Sequence, residues 1–324
     1  MIGRPDELEE SRRQEVKTEL LRRIRSEKRA VLVVNTRSRR GRRSYAQARD
    51  LLTETGIVLT AAYPVTDPAR IPEIVAQSVS EGNYFVIVGG GDGTISSVMN
   101  SFAFKDVVFG LLPFGTANSF ARSLSIPLDL RAAVQVLVEG KLVDVDLGRA
   151  NQHYFANAAS VGLPVRVARS VPHQLKRVLG RAGYLIVAGA QLTRFKPFGC
   201  TISLEDGHSR TFQKVLELRI ANGPFKGGLL AAEEASVESR DLVLHIVKGR
   251  SRLTLAKVWA KIAMRMSRNP DEVDRLRAPA FVLQTDPVQY VSIDGEPVAQ
   301  TPLSFGVARQ ALKIMVPRSR LDLH

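Results

Sequence analysis

Three short segments hold residue types that can do chemistry at their spacing. Gly89-Gly90-Gly91-Asp92-Gly93-Thr94 directly follows the apolar run Tyr84-Phe85-Val86-Ile87-Val88. Four glycines around one aspartate, at the carboxyl end of a buried strand, make a turn whose backbone can approach a ligand closely. A helix over Ile95–Phe104 would face its N-terminus to that turn, where free N–H groups and the positive dipole end favour a phosphate. A second segment runs from Leu112 to Arg122 and reads LPFGTANSFAR. In it Gly115 allows close backbone approach, Thr116 supplies a hydroxyl, and Asn118 can cap the next helix. Near the end of the chain, Ile293-Asp294-Gly295-Glu296 places two carboxylates two residues apart. An aspartate there can take a hydroxyl proton, although Asp-Gly is equally a common hairpin turn.

The elements that must position these residues alternate. Strands are expected at Ala30–Asn35, Val58–Tyr63, Tyr84–Val88 and Val107–Leu111. Helices are expected at about Tyr45–Glu54, Ile71–Ser80, Ile95–Phe104, Asn118–Leu124 and Leu130–Glu139, after an N-terminal helix over residues 6–29. That N-terminal helix has a thin apolar stripe of Leu8, Val16, Leu20, Leu21 and Ile24, with packing on the body as its simplest use. Strand–helix alternation with short connections implies an α/β domain: a mostly parallel sheet covered on both faces, in three layers. Its ligands sit beyond the carboxyl ends of the strands, where the loops 35–43, 89–94 and 112–118 would lie. After about Asp144 strand patterns dominate: 142–149, 153–160, 198–204, 214–221, 242–247, 280–285, 288–293 and 311–316. Glu205-Asp206-Gly207-His208 reads as a hairpin turn, and Pro172–Thr193 and Leu253–Met266 as helices. The expected organisation is an N-terminal helix over 1–29, an α/β nucleotide-binding domain over 30–147, an antiparallel β-rich domain with inserted helices over 148–317, and a tail over 318–324. The cleft between the two domains is the natural place for a substrate.

Charge narrows the partners. The net charge is +14 and comes in blocks: Arg22–Arg43 has ten Lys/Arg against one acid, Leu147–Leu204 eight against none, and Leu242–Pro270 seven against none. Blocks of one sign suit a polyanion, whether nucleotide, nucleic acid or anionic membrane. Aromatic residues make up only 6% and do not interleave the basic blocks, which argues against a nucleic-acid binder. The single Cys200 excludes an internal disulfide and fits a reducing compartment. The polar, acidic first ten residues do not read as a secretory signal. No apolar run approaches the roughly 20 residues needed to cross a bilayer. The five histidines lack metal-ligand spacing, and Trp259, Met264 and Met266 read as packing residues.

The glycine motifs, in order with others, resemble the diacylglycerol kinase catalytic family, which includes bacterial lipid kinases and sphingosine and ceramide kinases. The resemblance covers most of residues 30–317. Its other marks are Asn35, Ala156-Asn157-Ala158-Ala159-Ser160-Val161-Gly162, Ala221-Asn222-Gly223 with Gly227-Gly228, and Ile293-Asp294-Gly295-Glu296. The resemblance implies transfer of the γ-phosphate of ATP to a lipid hydroxyl, with diacylglycerol as the leading acceptor and a sphingoid base close behind. By motif, Asp92 looks like the acidic residue of the nucleotide and Mg2+ site, and Gly90, Gly91, Gly93 and Thr94 like the phosphate cradle. Asn35, Thr66, Gly115, Thr116 and Asn118 would complete the ATP pocket. Asp294 resembles the general base, and Glu296 the partner of Asp92 in holding Mg2+. The implied partners are a lipid substrate and an anionic membrane surface met through the basic segments. Homodimerisation is a further option, and the implied location is cytoplasmic and peripheral to the membrane.

The chain departs from the family pattern at four places. Thr36 stands where a proline is usual, Ser97 where a glutamate is frequent, and Ser119 where the second motif has aspartate. Ser239 falls on an aspartate that helps to hold a structural magnesium in some members, with Glu233, Glu234, Glu238 and Asp241 as nearby substitutes. Two other readings stay open. An NAD kinase also uses a GGDGT loop, and a non-catalytic relative could sense nucleotide or lipid with the lost acids.

Overall fold

The protein is described by a computed structural model covering residues 5–163, 165–166, 195–226, 229–230, 235–249 and 273–320. The helices expected over 172–193 and 253–266, with Trp259, Met264 and Met266, lie outside the described residues, as do Gly227, Gly228, Glu233 and Glu234. The chain divides into two compact units, Met1–Leu147 with Arg309–His324 and Gly148–Ala308. The last segment, Arg309–His324, groups with the first unit.

The first unit is three-layered. Strands β1 (Arg29–Asn35), β2 (Val58–Val65), β3 (Phe85–Gly90) and β4 (Val108–Pro113) pair in parallel in the order β2-β1-β3-β4. β3 and β4 are buried along their whole length, as central strands of a covered parallel sheet must be. Helix α1 (Pro5–Glu27) precedes β1, and α2 (Arg39–Glu54), α3 (Ile71–Ser80), α4 (Asp92–Phe102), α5 (Ser119–Ser123) and α6 (Leu130–Glu139) connect the strands. α2 packs with α6 against one face and α3 with α4 against the other. Register sets Val34 beside Gly89 and Gly90 beside Pro113, so the loops after β1, β3 and β4 leave from one edge.

α1 packs on the body. Leu20 and Ile24 are buried, the Arg23 guanidinium lies 4.0 Å from the Tyr84 ring centroid, and Lys17 pairs with Asp144 at 3.0 Å. Leu8, by contrast, is exposed. The arginine-rich stretch read as a loop over 35–43 is mostly helix. Ser38 caps α2 by accepting from Gly41 N at 3.0 Å, and arginine is a good helix former.

The second unit is antiparallel. Its strands are β5 (Lys141–Ala150), which enters from the first unit, β6 (His153–Phe155), β7 (Ala158–Gly162), β8 (Phe198–Leu204), β9 (Ser209–Ala221), β10 (Phe225–Lys226), β11 (Leu229–Leu230), β12 (Leu242–Lys248), β13 (Val273–Ala278), β14 (Ala280–Asp286), β15 (Tyr290–Ile293), β16 (Glu296–Gln300) and β17 (Leu303–Val316). The order is β16-β15-β7-β9-β8-β14-β17, with β12 and β13 branching from β9 and a separate β10–β11 hairpin. β17 leaves by pairing in parallel with β4, Lys313 beside Val108. The apolar core includes Phe155, Val161, Phe198, Ile202, Leu218, Ile220, Leu244, Phe281, Ile293 and Phe305. Cys200 is buried there, and burial pushes its thiol up to about 11. The expected hairpin turn joins β8 to β9, with Gly207 at φ +84° and His208 N donating to Asp206 Oδ1 at 2.9 Å.

Candidate functional site

In the first unit the glycine turn and the second motif are built against each other. Phe114 N donates to Gly90 O at 2.9 Å. A Cβ at Gly115 would stand 2.6 Å from Gly91 Cα, and one at Gly91 would stand 3.1 Å from Gly115 Cα, so the two backbones touch. A Cβ at Gly90 would meet the Thr94 side chain at 2.5 Å, while Gly93 faces open space. α4 begins at Asp92, and its N-cap Gly91 offers no side-chain cap. A helix N-terminus without a side-chain cap is the arrangement that suits a phosphate.

Asp92 joins the two loops. Its Oδ1 accepts from Ser119 N at 2.6 Å, across 27 residues of sequence. Asp92 thus caps α5, the task the sequence assigned to Asn118. Asn118 sits in the left-handed region at φ +48° with no cap bond. Its side chain instead clasps Gly115, accepting from N and donating to O, both at 2.9 Å.

Asn35 Nδ2 donates to Thr94 Oγ1 at 2.9 Å, and Arg37 N donates to Asn35 Oδ1 at 3.1 Å, which ties the end of β1 to the glycine turn. Thr36 is buried and its Oγ1 has no hydrogen-bond partner among the described residues. Thr36 N donates to Val65 O at 2.8 Å, so Thr66 is next to the same loop. Thr66 lines an open pocket of about 400 Å³ with Tyr63, Pro64, Val65, Asp67, Arg70, Ile74 and Gln77. Thr116 is exposed, as are Arg37, Arg42 and Arg43. Of the residues lining that pocket, the sequence reading named only Thr66.

In the second unit Asp294 and Gly295 form the β15–β16 turn, at φ +46° and +99°. The hairpin reading of Asp-Gly and the chemical reading apply together. The Asp294 carboxylate accepts three backbone N–H groups: Ala156 on Oδ2 at 3.0 Å, and Asn157 and Ala158 on Oδ1 at 3.0 and 2.9 Å. The stretch 153–160, expected as one strand, bends at 156–157 between β6 and β7, and the bend aims these three amides at one carboxylate. Asn222 Nδ2 donates to Ala156 O at 3.2 Å, which brings the third motif of this unit to the same bend. Glu296 follows on the turn with an exposed side chain.

The serines at the departures are used structurally. Ser97 Oγ donates to Thr94 O at 2.8 Å. Ser239 Oγ lies 2.9 Å from Ser236 O and 3.1 Å from Asp241 O, so its hydroxyl closes the turn there. Among the described residues no three His, Cys, Asp or Glu side chains converge as a metal cage, and no helix is long and apolar enough to cross a membrane.

Comparison with known proteins gives one family match over the first part of the chain and one over the second. Residues 29–150 match the diacylglycerol kinase catalytic domain. Residues 157–316 match the YegS C-terminal NAD kinase beta sandwich-like domain. A diacylglycerol kinase of Staphylococcus saprophyticus subsp. saprophyticus is 25% identical over 260 residues, 80% of this chain and 85% of its own. A YegS-like protein of Yersinia pestis (strain Pestoides F) is 29% identical over 238 residues, 72% and 78% of the two chains. A solved chain from Bacillus anthracis str. Sterne shares the fold with a TM-score of 0.76 at 20% identity, covering 91% of this chain and 97% of its own. With the two domain matches covering residues 29–150 and 157–316, the chain belongs to the diacylglycerol kinase catalytic-domain family.

Proposed function

We propose that the protein transfers the γ-phosphoryl group of ATP to a hydroxyl of a lipid, with diacylglycerol as the first acceptor to test. The observation that carries the reading is the pair of loops in backbone contact at the uncapped N-terminus of α4, fixed by Asp92. Phosphoryl transfer asks a protein mainly to position and to neutralise charge. On this reading Gly90, Gly91, Gly93 and Thr94 cradle phosphates, with Gly115, Thr116 and Asn118 shaping the facing loop. The nucleoside end lies toward Asn35, Thr66 and the pocket beside them.

Asp92 is the residue that would hold Mg2+. Its carboxylate suits a hard cation, which commonly takes one or two protein carboxylates together with substrate phosphates. Bound with ATP, the ion would neutralise charge on the phosphate oxygens. The resemblance gave the hydroxyl proton to Asp294. Three backbone N–H groups already occupy that carboxylate. Asp294 therefore positions the 156–158 bend, and exposed Glu296 is the better acceptor for the proton. The basic blocks would hold the protein at an anionic membrane, where each cation contributes about 1 kcal/mol.

The test is transfer of labelled γ-phosphate from ATP in mixed micelles to a lipid panel, with NAD as a competing acceptor. A labelled lipid, lost in Asp92→Asn, is the expected result. Labelled NADP with no lipid product would overturn the reading.

A further inference from the structure

Helix α1 (Pro5–Glu27) ends before the matched segment 29–150 begins, and it closes one side of a groove in the first unit. The groove is open, measures about 270 Å³, and lies between α1, the loop after α4 and β17. α4 runs for 11 residues from Asp92 to Phe102, about 16 Å of helix, and Phe104 on the groove follows its far end. The groove is thus separate from the glycine turn at the start of that helix.

Its walls carry strain and an exposed ring. Phe104 is 57% exposed although its backbone is fixed, with its N donating to Ala311 O at 2.8 Å. It stands at φ +58°, and Gln310 on the same groove stands at φ +49°. A bulky residue in the left-handed region is an outlier, and such strain collects at functional sites. Here it holds an aromatic ring open to solvent on a groove shared with Val16. The charges along the groove are unequally paired. Lys313 pairs with Asp106 at 3.2 Å, Lys17 with Asp144 at 3.0 Å, and Arg13 with Glu9. Arg12 lines the groove, exposed and with no ion pair among the described residues.

We propose that this groove is a second ligand site, for a nucleoside monophosphate. The base stacks on the Phe104 ring, and the phosphate meets the Arg12 guanidinium. The carboxylates of Glu9, Asp106 and Asp144 are acceptors for ribose hydroxyls and base amino groups. The same wall disfavours simpler ligands. A bare anion would face three carboxylates, and a purely apolar ligand would take Arg12 and those carboxylates out of water with nothing in return. A triphosphate would set more negative charge beside the three carboxylates than Arg12 can offset. The site takes no part in bond making.

The test is equilibrium dialysis of labelled AMP and labelled adenosine against the full chain, for the wild type, Phe104→Asn, Arg12→Ala and Gly115→Ala, each with its melting curve. The wild type should bind AMP saturably, and about tenfold or more tighter than adenosine. Phe104→Asn should weaken AMP about tenfold or more. Its melting temperature should hold or rise, because asparagine enters the left-handed region more readily than phenylalanine. Arg12→Ala should bring AMP down to the level of adenosine with melting unchanged. Gly115→Ala, which disturbs the nucleotide loops, should still bind AMP. AMP binding that is lost in Gly115→Ala and kept in the other two variants would place the ligand at the glycine turn and overturn the inference. A wild type without saturable AMP binding would do the same, as would inorganic phosphate displacing AMP where adenosine does not. A Phe104→Asn variant that melts lower and binds AMP like the wild type would make the ring structural and also overturn it. Arg12 is exposed, so its variant decides should Phe104→Asn not fold. Dialysis reads binding alone, so a failure of phosphoryl transfer to lipid bears on the kinase reading and not on this site.

Discussion

Asp92 and Asp294 each fasten one motif to another, and they do so by different physics. In the first unit one hydrogen bond, from Ser119 N, is backed by glycine packed on glycine across two loops. In the second unit three hydrogen bonds converge on one carboxylate from residues 136–138 positions away, and a Cβ on the turn glycine, Gly295, would meet nothing within 4 Å. The first junction is held by shape and the second by charge. A phosphate cradle needs bare backbone close to the ligand, which glycine supplies. A junction between segments so distant in sequence needs a stronger local tie to hold its bend. Each junction also keeps one buried oxygen unmet beside it, Thr36 Oγ1 in the first unit and Asn157 Oδ1 in the second.

The largest expected difference comes from removing each carboxylate. Asp294→Ala strands three N–H groups of buried residues, at about 1–3 kcal/mol each, and should lower the urea midpoint severely or prevent folding. Asp92→Ala strands one and should cost about 1–3 kcal/mol by the same measure. Equal losses would erase the distinction. The glycines should rank the other way. Gly115→Ala drives a Cβ to 2.6 Å from Gly91 Cα and should cost about 1–3 kcal/mol, with ATP turnover nearly lost. Gly295→Ala has open space around it and pays only for its φ of +99°, about 1 kcal/mol in thermal melting. The smallest effect should come from Thr36→Val, which removes an unmet hydroxyl. Its melting temperature should hold or rise slightly, while a rise in KM for ATP would place the hydroxyl at the nucleotide.

Much of the first unit was legible because its signals are local. β1, β3 and β4 are short apolar runs ending in turn residues, and the glycine motif sits where a parallel sheet puts its ligand. The pairing of Asp92 with Ser119 was not legible, since Asn118 satisfies every local rule for a cap. The bend at 156–157 was hidden for a similar reason: residues 153–160 are strand-like throughout, and only the distant Asp294 makes the bend worthwhile. β13, with one apolar residue between charges in Asp-Arg-Leu-Arg, and β16, an edge strand carrying Pro297, gave no strand pattern. The return of 309–316 to the first unit depends on β17 pairing with β4, a contact that no local pattern announces.

The division of labour in the second unit is tested most directly by γ-phosphoryl transfer to lipid by Glu296→Gln and Asp294→Asn, each with its melting curve. The account predicts that Glu296→Gln loses turnover at unchanged melting temperature, while Asp294→Asn loses turnover together with stability. An Asp294→Asn variant that melts like the wild type but is inactive, beside a fully active Glu296→Gln, would contradict it and return the proton to Asp294.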